Sequence, residues 1–334
     1  MILKNILKLI LEGSMTNYTP EIKKIIVPVS IGNEDIVALK QALIFQEIYG
    51  CEIILLNVLT KVSVFHKIMR PKNLKKQIKK AEKSLRKFTT IFFGGEMPSN
   101  IKLKITTGNL IEKILITAER TNCDLIIIKK RRRILTKFSF LKNENADKLI
   151  SGALCPVLTI PKKNIENTIK NILIPVDITK KIDIKIAWVK YLALKFNAKV
   201  NVVSVLDLNI APLKSLAYQK ALLIEESMKE VGLEANVELL KANNQSMHDV
   251  ILSHIGKLNP DLVLIMTHQE SILFDNYIGK FATEVIHRSN SPIFSLVPRK
   301  ETLITSFIDS LDSQNKIMTD ISRKITHKVT QIGK

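Results

Sequence analysis

Three cysteines in 334 residues, Cys51, Cys123 and Cys155, stand alone and at no metal-ligand spacing. That excludes a disulfide framework and a structural zinc site, and it fits a reducing cytoplasm. All three fall at or just before strand-like runs, where a free thiol reads as a small core filler. Aromatics are scarce, with 12 Phe, 5 Tyr and 1 Trp against 46% hydrophobic residues, so the core has to be aliphatic. This excludes an aromatic-rich sandwich and favours sheets of Ile, Val and Leu. No apolar run approaches the roughly 20 residues that a membrane-spanning helix needs. The opening MILKNILKLIL is too short to span and has no small-residue cleavage site. It reads as an N-terminal extension over residues 1–22, with an interfacial amphipathic helix as the alternative.

Glycine is also scarce, at 11 residues, while Lys, Ile and Asn abound. Lys and Arg number 51 against 31 Asp and Glu, a net charge of +20, yet only nine of the 51 are Arg. The excess reads first as a compositional bias of the whole chain, with polyanion binding as the alternative.

The chain repeats itself. KIIVPVS at Lys24 is answered by NILIPVD at Asn171, CDLIIIKK at Cys123 by PDLVLIMT at Pro260, and CPVLTIPKK at Cys155 by SPIFSLVPR at Ser291. The order is kept while the offset drifts from 147 to 137 and 136, as expected of two copies of one domain with deletions in the second. Strands are predicted over 25–29, 53–59, 102–106, 125–128 and 157–160, then over 172–176, 200–206, 236–240, 262–265 and 293–296. Helices are predicted over 35–49, 74–92, 110–121 and 143–152, and over similar lengths in the second copy. The strands are continuous aliphatic runs, which places them in parallel sheets covered on both faces. Right-handed crossovers then make each copy a doubly wound α/β sheet. Ligands of such sheets sit beyond the carboxyl ends of the strands.

With the copies aligned, the chain resembles tandem universal stress proteins. The resemblance rests on the first strand ending in PV, on DL leading into a late apolar strand, and on a closing helix before PV or PI, EVIHRSNSPIF in the second copy. It implies an adenine nucleotide alpha-hydrolase-like fold. It also implies a nucleotide loop of Gly-x2-Gly-x9-Gly-Ser after the fourth strand, with an aspartate at the end of the first. In the second copy Asp177 follows Pro175 at the aspartate position. Met266 stands at the first glycine, Gln269 at the second, Gly279 at the third and Lys280 at the serine, with Thr267 and His268 between the first two. If Met266 and Gln269 each needed positive φ, at about 1–2 kcal/mol apiece, binding would weaken by about 10- to 1000-fold. In the first copy Ser30 replaces the aspartate, Lys130 and Arg133 replace the first two glycines, and Asn143 and Glu144 replace the Gly-Ser pair.

The first-copy exit reads KKRRR: Lys129, Lys130, Arg131, Arg132 and Arg133. These five cations are a candidate contact for nucleic acid or polyphosphate, or a solvated loop. The lysine-dense segment 72–87 reads as an amphipathic helix with a basic outer face. His268 has no nucleophile or carboxylate partner at hand and reads as a polar loop residue. The tail 301–334 carries apolar residues at helical spacing, fit for packing or self-association.

The expectation is a cytoplasmic protein of two tandem universal-stress-type domains, 23–163 and 169–300, flanked by residues 1–22 and the tail. It is a non-enzymatic stress-response module without a required cofactor, engaging protein partners or itself. Two alternatives stay open: an ATP sensor using the second copy, and a polyanion binder using the basic first copy.

Overall fold

The computed structural model describes residues 19–30, 36–60, 71–130, 143–161, 168–176, 183–206, 216–267 and 278–297. The first copy contributes β1 (Lys24–Pro28), α1 (Ile36–Tyr49), β2 (Glu52–Leu59), α2 (Pro71–Phe93), β3 (Ile101–Thr107), α3 (Leu110–Arg120), β4 (Leu125–Lys129), α4 (Asn143–Gly152) and β5 (Val157–Ile160). The second contributes β6 (Asn171–Pro175), α5 (Asp183–Phe196), β7 (Lys199–Leu206), α6 (Leu216–Lys229), β8 (Ala235–Lys241), α7 (Met247–Leu258), β9 (Leu262–Met266), α8 (Lys280–Arg288) and β10 (Ile293–Leu296). All ten strands fall within a residue of the positions predicted from the sequence. Helix α2 begins at Pro71 rather than at 74, because proline is suited to the first helical position, where its missing N–H is no loss.

The same local chemistry builds both copies. Helix α1 ends on Gly50 at φ 67 and α5 on Asn197 at φ 50, the left-handed conformation that stops a helix. All five non-glycine residues at positive φ among the described residues are asparagines, the side chain that tolerates this region best. A glycine-poor chain thus meets five of its positive-φ positions with Asn and four with Gly among the described residues. Asn109 caps α3 by accepting from the Glu112 N–H, and Ser246 caps α7 by accepting from the Asp249 N–H. The aspartate of the DL pair is a clasp in each copy. The N–H groups of Lys23 and Lys24 donate to Asp124 Oδ2 at 2.9 Å each. Those of Lys170 and Asn171 donate to Asp261 Oδ2 at 2.9 and 2.8 Å. The carboxylate satisfies two N–H groups where the first strand of each copy starts, so this part of the family signature serves the fold.

The two copies share one sheet of ten strands in the order β3-β2-β1-β4-β5-β10-β9-β6-β7-β8. Every neighbouring pair is parallel except β5 and β10, which join antiparallel with Leu158 opposite Phe294. Alternate strand residues enter two cores. Ile25, Val27, Leu262 and Leu264 pack on one face under α1, α2, α5 and α6. Ile26, Ile126, Val263 and Ile265 pack on the other under α3, α4, α7 and α8. Both cores run across the junction.

Side chains close the junction on both faces. On one, Phe45 and Tyr49 of α1 meet Phe196 and Tyr191 of α5 at ring separations of 5.4 and 5.1 Å, and the Ile22 N–H donates to the Tyr191 hydroxyl at 3.0 Å. On the other, His287 Nε2 of α8 lies 2.8 Å from Asp147 Oδ1 of α4.

Candidate functional site

In a doubly wound half the ligand crevice lies past the carboxyl ends of the first and fourth strands. Because β5 and β10 run antiparallel, the two crevices open on opposite edges of the sheet. In the second half the relevant ends are those of β6 and β9, together with the start of α8.

At the β6 end Pro175 is buried, and its carbonyl oxygen accepts from Lys185 Nζ at 2.8 Å. Lys185, in the first turn of α5, is only 2% exposed. The position that repeats it in the first copy, 147 residues earlier, is the buried Ala38. A buried ammonium at the crevice edge therefore distinguishes the second half. Sequence reasoning missed Lys185, although the signal was there: it lies on the apolar stripe of α5 with Val189 and Leu192, four and seven residues on.

Beyond it, Ser204 Oγ donates to the Val176 carbonyl at 3.3 Å. In the first half Asn57 Nδ2 does the same for the Val29 carbonyl at 2.8 Å. Each half thus pins the exit of its first strand from the neighbouring strand.

At the β9 end Met266 is still a strand residue, paired with Leu296. It is absent from the positive-φ residues, and its side chain is 8% exposed and part of the core. The strain expected of a lost glycine therefore does not arise here, because the chain keeps its β-geometry and the thioether fills the core instead. Thr267 is fully buried. Its N–H and its hydroxyl donate to the Leu296 carbonyl at 3.0 and 3.1 Å, while its own carbonyl accepts from the Gly279 N–H at 3.0 Å. Thr267, which the sequence places among the nucleotide contacts, has its hydroxyl tying β9 to β10, its carbonyl tied to the start of α8, and no exposure to solvent.

Gly279 is the N-cap of α8, with φ −58 and no side-chain cap. The glycine here leaves the mouth of the helix bare rather than supplying a left-handed turn. Lys280 is exposed in the first turn, the end of the helix dipole that favours negative charge. The structure thus gathers Pro175, Met266, Thr267, Gly279 and Lys280 at one edge, with only Lys280 open to water. Asp177, His268 and Gln269 lie outside the described residues, as do Arg131, Arg132 and Arg133.

In the first half Lys129 ends β4 half-buried. Lys130 Nζ reaches across the junction and donates to the Ser289 carbonyl, the C-cap of α8, at 3.2 Å. Lys130, which the sequence places among the candidate polyanion contacts, lies at a helix C-terminus, where its charge complements the dipole, and its side chain bridges the junction.

Burial pushes the Lys130 ammonium down from 10.5 to about 8. Between those two values the unfolded chain holds the proton that the native chain has released, so the contribution of Lys130 to stability rises with pH across that window. Relative to wild type, Lys130→Met is expected to lose this rise. The difference in unfolding free energy, followed by denaturant melts from pH 7.5 to 10.5, should change by less than the one-proton limit of about 1.4 kcal/mol per pH unit, since the side chain is only partly buried.

Comparison with known proteins agrees with this architecture. The sequence profile of the universal stress protein family matches residues 21–161 and 168–294. A universal stress protein from Archaeoglobus fulgidus DSM 4304 is similar over 84% of this chain and 98% of its own, at 16% identity and a TM-score of 0.63. A universal stress protein of Pseudomonas aeruginosa UCBPP-PA14 is similar over 87% and 98%, at 19% identity and a TM-score of 0.59. Universal stress proteins have been solved in complex with cAMP and, from Archaeoglobus fulgidus, with dAMP. No curated protein matches the chain, and no described helix is long and apolar enough to cross a membrane. With the profile matched twice in succession, over two halves that share one sheet, this chain belongs to the universal stress protein family in its tandem form.

Proposed function

We propose that the protein is a non-enzymatic stress-response module of the cytoplasm that works through protein partners or self-association, and that both of its nucleotide sites are degenerate. The observation that carries this reading is the state of the β9 exit. Phosphate loops work by bringing backbone N–H groups and a hydroxyl close to the ligand. Here Met266 is committed to the core and the strand ladder, and the hydroxyl and N–H of Thr267 are spent on Leu296. In the first half Lys130, at a glycine position of the family loop, is spent on Ser289. Without a nucleophile and base placed together in the sequence, binding rather than turnover is the expected activity.

A second reading has one observation in its favour: the uncapped start of α8 with Lys280 exposed beside it is an arrangement that favours an anion. In that case the second half is an ATP sensor, with Asp177 orienting the nucleoside as the family resemblance implies. Calorimetric titration with Mg-ATP at moderate salt, on wild type and on Asp177→Ala, separates the two. No heat up to millimolar ATP is the expected result. Saturable micromolar binding that Asp177→Ala abolishes would instead establish the sensor.

A further inference from the structure

The net charge of +20 is not spread over the chain. Residues 21–161 hold 26 Lys and Arg against 12 Asp and Glu, a net of +14, whereas residues 168–294 hold 14 against 13, a net of +1. The two halves share a fold and a coding sequence, so a chain-wide compositional bias does not account for the excess.

Much of the difference sits on one helix. In its 23 residues α2 carries eight Lys and Arg and one acidic residue, Glu82. Its counterpart α6 carries two lysines and two glutamates in 14 residues. Helix α2 packs along β3, the outermost strand of the sheet on the first-half side. Its inner stripe, Ala81, Leu85 and Thr89, is buried. Lys75, Lys76, Lys79, Lys80, Lys83 and Lys87 are exposed. None of the six has an acidic partner among the described residues, whereas Arg86 is paired with Glu82 at 2.9 Å. They form like-charged pairs at i,i+4 (Lys75 with Lys79, Lys76 with Lys80, Lys79 with Lys83, Lys83 with Lys87), each of which works against the helix. No acidic residue sits in the first turn to complement the dipole. A solvated face has no use for that repulsion, and α6 does without it.

We propose that this lysine ridge on α2 binds the phosphate backbone of double-stranded DNA without regard to sequence. The ridge from Lys75 to Lys87 runs about 18 Å at 1.5 Å per residue, a length over which a duplex presents about ten phosphates. A row of point charges suits phosphate rather than base edges, whose bidentate readers are Arg, Asn and Gln. Single-stranded nucleic acid is disfavoured because it needs exposed aromatic platforms, and Phe88, Phe92 and Phe93 are packed against the core. A membrane surface is disfavoured because the apolar face that would insert is already buried, leaving Ile91 as the one strongly exposed large apolar residue of the helix among the described residues. Duplex RNA also presents a phosphate backbone, and the comparison with it is one arm of the test.

The test is fluorescence polarisation of the full-length protein with a labelled mixed-sequence DNA duplex of about 20 base pairs, two helical turns. Titrations run from about 50 to 200 mM salt, the range over which phosphate contacts are lost. Binding is expected with a log–log salt slope of about −4 to −5, the value for five or so neutralised phosphates. Replacing Lys76, Lys79, Lys80 and Lys83 together by Gln should flatten that slope by about three units and weaken low-salt binding by about 100-fold. Circular dichroism reports whether α2 is intact in this variant. Replacing four exposed lysines of the second half, Lys195, Lys229, Lys241 and Lys257, by Gln should change affinity by no more than about twofold, since phosphate contacts count only where they are made. Four results would overturn the proposal: no binding at the lowest salt, equal losses in the two quadruple variants, tighter binding to duplex RNA, or binding to phosphatidylserine vesicles with none to DNA.

Discussion

Phe294→Ala is expected to lower the free energy of unfolding by about 3–5 kcal/mol, as for other fully buried aromatic side chains cut to alanine. Phe294 is completely buried and stands opposite Leu158 where β10 joins β5. Its ring lies 5.3 Å from that of Trp188 on α5. The truncation removes apolar area from a core that both halves share, so the loss should fall on the whole sheet. Guanidinium unfolding followed by tryptophan fluorescence and by far-UV circular dichroism should show one transition, moved to lower denaturant in both signals. Trp188 reports the second half and circular dichroism reports both. Two separated transitions, with the first half unaffected, would mean that the halves hold themselves and the junction adds little. Ile91→Ala is the matched control: 70% exposed, it should change stability by less than about 0.5 kcal/mol.

Lys185→Glu should be comparably damaging. It replaces a buried ammonium that donates to the Pro175 carbonyl with a carboxylate facing the same oxygen. Breaking a buried charged contact in this way costs about 3–5 kcal/mol. Lys185→Met keeps most of the side-chain volume and loses the ammonium with its hydrogen bond to Pro175, so about 1–3 kcal/mol is expected. The pH dependence separates the two. A glutamate buried at that site has its pKa raised above the unfolded value, so the native state binds the proton first and the variant regains stability as pH falls through that range. The Met variant has no such response. Urea melts at neutral and mildly acidic pH would check both. Equal losses for Glu and Met, with no pH dependence, would place the residue 185 side chain in water.

Much of this molecule was legible in the chain before folding was considered. The offset of 147 residues that aligned KIIVPVS with NILIPVD also relates Gly50 to Asn197, Val29 to Val176 and Asn57 to Ser204, which hold matching places in the two halves. The limits of the central strands could be read because a parallel strand buried on both faces has to be an unbroken aliphatic run. Helix limits could be read because caps are local: Asn109 and Ser246 each reach a backbone N–H only three residues away.

The candidate site was harder to read for the same reason turned round. Whether Lys130 faces solvent or the second half depends on Ser289, 159 residues further on. The charged run that contains it looks the same either way. Met266 and Thr267 stand at loop positions of the family pattern, but the ladder with Leu296 keeps β9 extended through Met266 and takes up the hydroxyl of Thr267. Lys185 joined the site unannounced, because a lysine on an apolar stripe shows its partner only when the end of β6 is brought over it.

By itself, then, the sequence determined the repeat, the ten strands, the covering helices and the family, since period, propensity and capping act over a few residues. It also contains the uneven division of charge between the halves, a matter of counting. Only the tertiary structure decided that the halves share one sheet through β5 and β10, that their crevices open on opposite edges, and which cations are spent inside. The shared sheet and the Lys130 contact depend on hydrogen bonds and packing between residues more than a hundred positions apart, and the central strands, aliphatic on both faces, have no local preference for one neighbour over another.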